Sequence, residues 1–286
     1  MPSGYFSAPS DSLDPSLFDG DRMRPEVRSR LLDALYAGLQ LVGFSEPWEW
    51  ARAWLTGSGA SYQWKADRGN GDLDVLFGAD YTSFLRVNPW FPPLSMAETA
   101  MYTDQILRDK YWPRTSAMEI NGSTYEVTFF WNPTTGEDIR DIHPYSAYSL
   151  TDDSWTIHPP ELPVDPQELY PQHYFEQGER DTQAVNALKD MHDNGGSLGR
   201  AQSLQTARFY WDRIHGGRKE AFSGTGAGYG DFHNFRWQYL KSTGAMEVLR
   251  DLVKEADMND PFFKLDSPAD LITRAALRYG GARYWA

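Results

Sequence analysis

Hydrophobic positions recur with two different spacings along this chain, and the spacing changes near its middle. Between Pro25 and Gly43, apolar residues return every three or four positions, which predicts a helix that begins at the proline and ends at the glycine. The stretch 125–131, YEVTFFW, has an alternating pattern and is bounded by turn residues on both sides, so it predicts a strand. Shorter strands are predicted at 72–77 and near 145–150.

A further helix is predicted in the first half, over 95–110, where Ser95 and Glu98 have the spacing of a capping box. The second half of the chain has the spacing of helices almost throughout. Four helices are predicted after the strands, at roughly 180–193, 200–214, 233–254 and 267–279. The pattern therefore predicts an α+β fold, with a mixed first part and an α-helical C-terminal domain.

The distribution of Pro, Ser and Asp suggests where these parts begin and end. Residues 1–24 are rich in these residues and predict an irregular N-terminal arm. The mixed domain is expected over 25–157. Several prolines among acidic residues predict a linker over 158–172, followed by a helical domain over 173–286.

Composition narrows the possible partners. The formal net charge of −13 disfavours general binding of duplex DNA, whereas carboxylates suit divalent cations. There are no cysteines, which excludes disulfides, Cys-based zinc sites and thiol nucleophiles. The start of the chain lacks a signal-peptide pattern, and no apolar run reaches about 20 residues, so we expect a cytoplasmic protein without a membrane partner.

The residues that indicate chemistry lie in the first half of the chain. Asp72 and Asp74 stand two apart in a predicted strand, which places both carboxylates on one face. Two adjacent carboxylates repel each other unless a cation lies between them, and Mg²⁺ is the expected cation, with Mn²⁺ as a substitute.

A glycine-rich segment precedes this acidic pair. Gly57 allows backbone N–H groups to approach a phosphate closely, and the hydroxyl of Ser58 adds another donor. Lys65, in the following loop, is a candidate phosphate contact, and a solvated loop charge is the alternative. Together the segments predict a site for a metal-bound nucleotide.

The order of these two segments resembles the signature of the DNA polymerase β-like nucleotidyltransferases. That signature is a hydrophobic residue, Gly-Ser, about a dozen residues, and then Asp–hydrophobic–Asp–hydrophobic. Its positions are occupied here by Leu55, Gly57, Ser58, Asp72, Leu73, Asp74 and Val75. Thr56 stands directly before the glycine.

The resemblance implies a fold and an activity. The family has a small mixed β-sheet flanked by helices, and its members use two metal ions to transfer a nucleoside monophosphate from an NTP to a hydroxyl group. A third carboxylate lies on a later strand. Glu126 is the candidate because it is the acid inside the predicted strand 125–131, and Asp141 is the alternative.

A second resemblance lies nearer the C-terminus. The segment 215–222, HGGRKEAF, and the later segment 228–238 are similar to the tails of nucleotidyltransferase-domain proteins of actinobacterial phages. Arg218 and Lys219 precede a glycine-rich loop that could close over a nucleotide, which makes both candidates for nucleotide binding. A solvated basic surface is the alternative.

The hypothesis is therefore a magnesium-dependent enzyme that binds ATP or another NTP. Its acceptor would be an RNA end, a protein or a small molecule. One alternative is a nucleotide-binding protein of the same fold without activity. Another is a serine hydrolase, because residues 195–199 fit the Gly-x-Ser-x-Gly pattern around Ser197. A glycine-rich link between two helices also explains that segment.

Overall fold

The computed structural model describes residues 4–64, 71–92, 94–133, 138–163 and 165–258. These residues form two compact units. The sheet unit comprises the described residues of 10–160. The helical unit comprises residues 4–9 and the described residues of 161–258. The boundary between Pro160 and Glu161 lies within the predicted linker.

The sheet unit contains a mixed sheet of six strands among its described residues. The strands are β3 (Ala51–Thr56), β4 (Asp72–Ala79), β5 (Met118–Ile120), β6 (Ser123–Trp131), β7 (Ala147–Ser149) and β8 (Ser154–Ile157). Their order in the sheet is β5-β6-β4-β3-β7-β8. All neighbours are antiparallel except β4 and β6, which are parallel.

One face of this sheet is covered by helices, and the main core lies there. Helix α1 (Pro25–Val42) begins with its proline in the first turn and ends at Gly43, whose φ of 106° is readily adopted by glycine. Along α1 the buried apolar residues repeat every four positions, as in Val27, Leu31 and Leu35. Two short helices follow, α2 (Pro47–Trp50) and α3 (Tyr81–Val87).

The structure differs from the predicted N-terminal arm. Strands β1 (Phe18–Asp19) and β2 (Arg22–Met23) form a small hairpin, and Leu13 and Leu17 are buried in the core of the sheet unit. From the sequence, Leu13, Leu17 and Phe18 are expected only to attach an irregular arm to the surface, because they are too widely spaced to produce a periodic pattern.

The predicted helix over 95–110 is present. Helix α4 (Met96–Ile106) has the capping box, in which the Ser95 hydroxyl accepts the Glu98 N–H and the Glu98 carboxylate accepts the Ser95 N–H. A π-helical turn over Leu107–Tyr111 continues it into the short helix α5 (Trp112–Thr115). Helices α4 and α5 both pack beside β6.

The helical unit contains four longer helices in its described part. They are α6 (Gln172–Asn194), α7 (Gly196–Ala221), α8 (Phe232–Ser242) and α9 (Ala245–Met258). The prediction of one helix over 233–254 was wrong, because Gly244 adopts a φ of 77° and separates α8 from α9. The N-terminal turn Gly4–Phe6 also belongs to this unit, where Tyr5 and Phe6 are buried.

The α+β prediction is confirmed, with a mixed sheet and a helical region towards the C-terminus. The predicted helix over 267–279 lies outside the described residues. Within the described ranges, no helix combines the length and the apolar character needed to cross a membrane.

Candidate functional site

Strand register brings together acidic residues that are far apart in the sequence. In the parallel pair β4–β6, Asp72 is the Cα partner of Glu126, and Asp74 is the partner of Thr128. On the other side of β4, Asp74 is the partner of Thr56, the last residue of β3. Partnered residues point to the same face of a sheet, so the three acids lie on one face of two adjacent strands.

The alternation of burial along β4 agrees with the prediction from sequence. Leu73 and Val75 are buried in the core, whereas Asp72 is exposed and Asp74 is partly exposed on the opposite face. Along β6, Glu126 is exposed between buried neighbours. The acidic face is therefore the one turned away from the main core.

The glycine-rich turn after β3 contacts this acidic pair directly. Gly57 has φ 73° and ψ −158°, a conformation adopted almost only by glycine. A Cβ atom at this position would lie 3.1 Å from Oδ2 of Asp74. Ser58 begins a 3₁₀ turn, Ser58–Ala60, and its hydroxyl lies 3.5 Å from Oδ1 of Asp72.

Neutral donors contact two of the three carboxylates. Ser58 donates its long hydrogen bond to Asp72, and the indole N–H of Trp112 donates to Oε1 of Glu126 at 3.2 Å. Within the described part of the chain, neither Asp72 nor Glu126 forms an ion pair. Among the described residues, no lysine or arginine therefore competes with a cation for these two carboxylates.

The donor set suits a hard divalent cation, because carboxylate oxygens are the ligands that Mg²⁺ prefers in proteins. A side chain at position 57 would crowd Oδ2 of Asp74, and glycine avoids this. As the side chains stand, no group of three His, Asp or Glu residues among those described is arranged to hold a metal. Cation binding would require these exposed carboxylates to move towards each other.

Side chains from the α4–α5 segment form hydrogen bonds with backbone groups of β6. The hydroxyl of Thr115 donates to the carbonyl of Val127 at 2.7 Å, and Oδ1 of Asp104 accepts the N–H of Trp131 at 2.7 Å. Burial raises the pKa of Asp104 to about 7, although the Trp131 N–H and the nearby Arg108 lower it. These contacts hold the strand that carries Glu126.

The remaining predicted site residues are not part of this strand pair. Lys65 is outside the described residues. Asp141 is in the 3₁₀ turn Ile139–Asp141 rather than on a strand, and its side chain is outside the described part. Arg218 and Lys219 lie in the last turn of α7, in the helical unit, where the Arg218 guanidinium is 4.8 Å from the ring centre of Trp237.

The segment around Ser197 lies between two helices. Helix α6 ends at Asn194 and α7 begins at Gly196, with Ser197 in its first turn. A nucleophile elbow requires a strand before the serine. The geometry is therefore that of a glycine-rich helical link, and it gives the hydrolase alternative no support.

The structure also adds residues that the sequence patterns did not indicate. Trp112 contacts Glu126, and Ser146 lies with its hydroxyl 3.4 Å from the carbonyl of Gly57. Both contacts depend on sheet order and on the path of α5. In the sequence, Trp112 is one of 11 tryptophans, and no pattern around it distinguishes it as a site residue.

Comparisons with protein-family models, with curated proteins and with solved structures found no match. The family resemblance therefore rests on the motif residues of the sequence alone.

Proposed function

We propose that this protein is a metal-dependent nucleotidyltransferase whose site lies on the open face of β4 and β6. The observation that carries the proposal is the register of Asp72 with Glu126. Glu126 lies on a later strand beside the Asp–hydrophobic–Asp pair, which supports its proposed role as the third carboxylate. Gly57 and Ser58 stand against the same pair.

The roles of the residues follow from their chemistry. Asp72, Asp74 and Glu126 would hold Mg²⁺ or Mn²⁺, and the ions when bound would neutralise charge on the triphosphate and favour ionisation of the acceptor hydroxyl. The Ser58 hydroxyl and the backbone of Gly57 would bind phosphate oxygens. We assign Glu126 the further role of accepting the proton of the acceptor hydroxyl.

The proposed reaction is an in-line displacement. The acceptor oxygen forms a bond to the α-phosphorus of the NTP while the bond from that phosphorus to the bridging oxygen breaks. Pyrophosphate leaves, and the acceptor retains the nucleoside monophosphate. The acceptor hydroxyl belongs to an RNA end, a protein or a small molecule. The net charge of −13 favours a protein or a small molecule over long nucleic acid.

A nucleotide-binding protein without activity is the second candidate. It is favoured by the separation of the carboxylates, since no three acidic or histidine side chains in the described residues form a metal group. Such a protein would bind an NTP and a cation without transferring the nucleotide. The presence of acids at all three positions favours the enzyme.

Titration with Mn²⁺, followed by the loss of the free-ion EPR signal, tests the cation site separately from turnover. We expect the wild-type protein to bind Mn²⁺, and Asp72→Asn, Asp74→Asn and Glu126→Gln each to weaken binding by more than about tenfold. Asp33→Asn, which changes an exposed acid on α1, is the matched control. Equal Mn²⁺ affinity in all the variants would contradict the assigned ligands.

A further inference from the structure

Trp112 stands beside the proposed site with its ring held in place. Its indole N–H donates to Oε1 of Glu126, while 38% of the residue remains exposed. Helix α5, which it begins, is fixed to β6 by the hydrogen bond from Thr115 to the carbonyl of Val127. Both the Thr115 side chain of α5 and the indole N–H of Trp112 are thus hydrogen-bonded to β6.

An exposed and anchored indole is suited to stacking. Its apolar ring gains stability by contact with another flat π-system, and a ring fixed in advance loses little conformational entropy when the contact forms. Aromatic side chains of nucleic-acid-binding proteins stack on bases in this way, with little preference among the bases.

A second exposed aromatic residue lies on the same face. Phe130 is two residues beyond Thr128 on β6, is the Cα partner of Leu76 and is 41% exposed. Four residues of strand separate it from Glu126, a distance of about 13 Å. Phe130 is therefore comparable to Trp112 in exposure, while Trp112 alone of the two is hydrogen-bonded to a site carboxylate.

We infer that Trp112 stacks on the base of the bound nucleotide while its N–H holds the Glu126 carboxylate. This inference rests on the proposed function and deepens it. It specifies that the substrate carries an aromatic base, and that a phosphate donor without a base is bound less tightly. It also predicts tolerance among the four NTPs, because every base has a π-face.

The test compares two ligands in the full-length protein. Dissociation constants for ATP and for inorganic tripolyphosphate, both with Mg²⁺, are measured by calorimetry. We expect the wild-type protein to bind ATP about 5- to 150-fold more tightly than tripolyphosphate, the range that stacking of one base provides. The ratio of the two constants measures the contribution of the nucleoside, and its change in the Trp112 variants measures the contribution of the ring, because both ligands carry a triphosphate for the cation site.

Three variants separate stacking from positioning. Trp112→Leu loses both the ring and the N–H, and should lower the ratio to about one. Trp112→Phe keeps an aromatic ring without the donor, so both ligands should weaken together while most of the ratio remains. Phe130→Ala should leave the ratio unchanged. Circular dichroism confirms that each variant is folded.

Each outcome is decisive. A ratio of about one in the wild-type protein overturns the stacking role and leaves the proposed function standing. A wild-type ratio that persists in Trp112→Leu, or that is lost in Phe130→Ala instead, overturns the assignment to Trp112. Failure of the folded wild-type protein to bind either ligand overturns the proposed function, and the inference with it.

Discussion

The Cβ atom that Gly57 lacks would lie 3.1 Å from Oδ2 of Asp74. The short distance shows that the Gly-Ser turn lies against the acidic pair. Thr56, directly before the turn, is the partner of Asp74 in the β3–β4 ladder. The turn and the carboxylate therefore form one structural unit, and a side chain at position 57 would disturb both.

Substitution Gly57→Ala should affect stability and the cation site together. The backbone conformation at this residue is strained for any side chain, so we expect unfolding to become easier by about 1–3 kcal/mol. The new methyl group should also displace the Asp74 carboxylate and weaken Mn²⁺ binding. Urea unfolding and EPR titration measure the two effects.

Gly122→Ala provides the control for backbone strain alone. Gly122 has a φ of 79°, and no atom of the described residues lies within 4 Å of its Cβ position. The variant should lose about 1–2 kcal/mol of stability and keep wild-type Mn²⁺ affinity. Unchanged Mn²⁺ binding in Gly57→Ala would contradict the proposed contact between the turn and the site.

Substitution Asp104→Asn should make stability less dependent on pH. Because the folded-state pKa is raised to about 7, the native protein retains this proton between about pH 4 and 7 while the unfolded chain releases it. This carboxyl therefore lowers wild-type stability as the pH rises through that window. The Asn carbonyl can still accept the Trp131 N–H.

At pH 8 we expect Asp104→Asn to raise the free energy of unfolding by on the order of 4 kcal/mol. At pH 4 the variant and the wild type should be nearly equal. Urea unfolding at both pH values, with the exposed Asp109→Asn as control, measures the difference. A gain of the same size at both pH values would show that ionisation of Asp104 is not its cause.

The buried ion pair of the helical unit should be costly to break from one side. Nη2 of Arg236 donates to Oδ1 of Asp181 at 2.8 Å, and only 4% and 3% of the two side chains is exposed. Asp181→Leu leaves a buried guanidinium without its partner, which should cost about 3–5 kcal/mol. Urea unfolding followed by far-UV circular dichroism measures the loss.

The double variant Asp181→Leu/Arg236→Met tests whether the cost arises from the unpaired charge. An apolar pair of similar volume should recover most of the lost stability. If the double variant is as unstable as Asp181→Leu alone, the loss comes from packing rather than from the charge.

Ser197→Ala should have no effect on either stability or catalysis. Ser197 lies in the first turn of α7, and the preceding element is a helix. We expect the free energy of unfolding to change by less than about 0.5 kcal/mol. Loss of an esterase activity in this variant alone would restore the hydrolase alternative.

Local patterns predicted the elements that local physics determines. The capping box of Ser95 and Glu98 located the start of α4, and alternation along 125–131 located β6. Alternation also placed Asp72 and Asp74 on one face, since side-chain direction in a strand has a period of two. These features depend on residues a few positions apart.

Other features depend on contacts that no local pattern reveals. The pairing of Asp72 with Glu126 follows from β4 and β6 being parallel neighbours, which only the folded sheet establishes. The proximity of Trp112 to Glu126 likewise depends on how α5 packs beside β6. Spacing also failed at Gly244, because helical periodicity continued across the break between α8 and α9.

The proposed transfer of a nucleoside monophosphate from an NTP to a hydroxyl group is tested most directly in cell lysate. The measurement is transfer of label from each α-³²P NTP, with Mg²⁺ or Mn²⁺ present. The wild-type protein is compared with Asp72→Asn/Asp74→Asn, which preserves the shape of both side chains. We predict that label becomes fixed to a discrete RNA, protein or small molecule only with the wild type. Labelling that persists in the double variant, or none from any NTP with folded protein, would contradict the account.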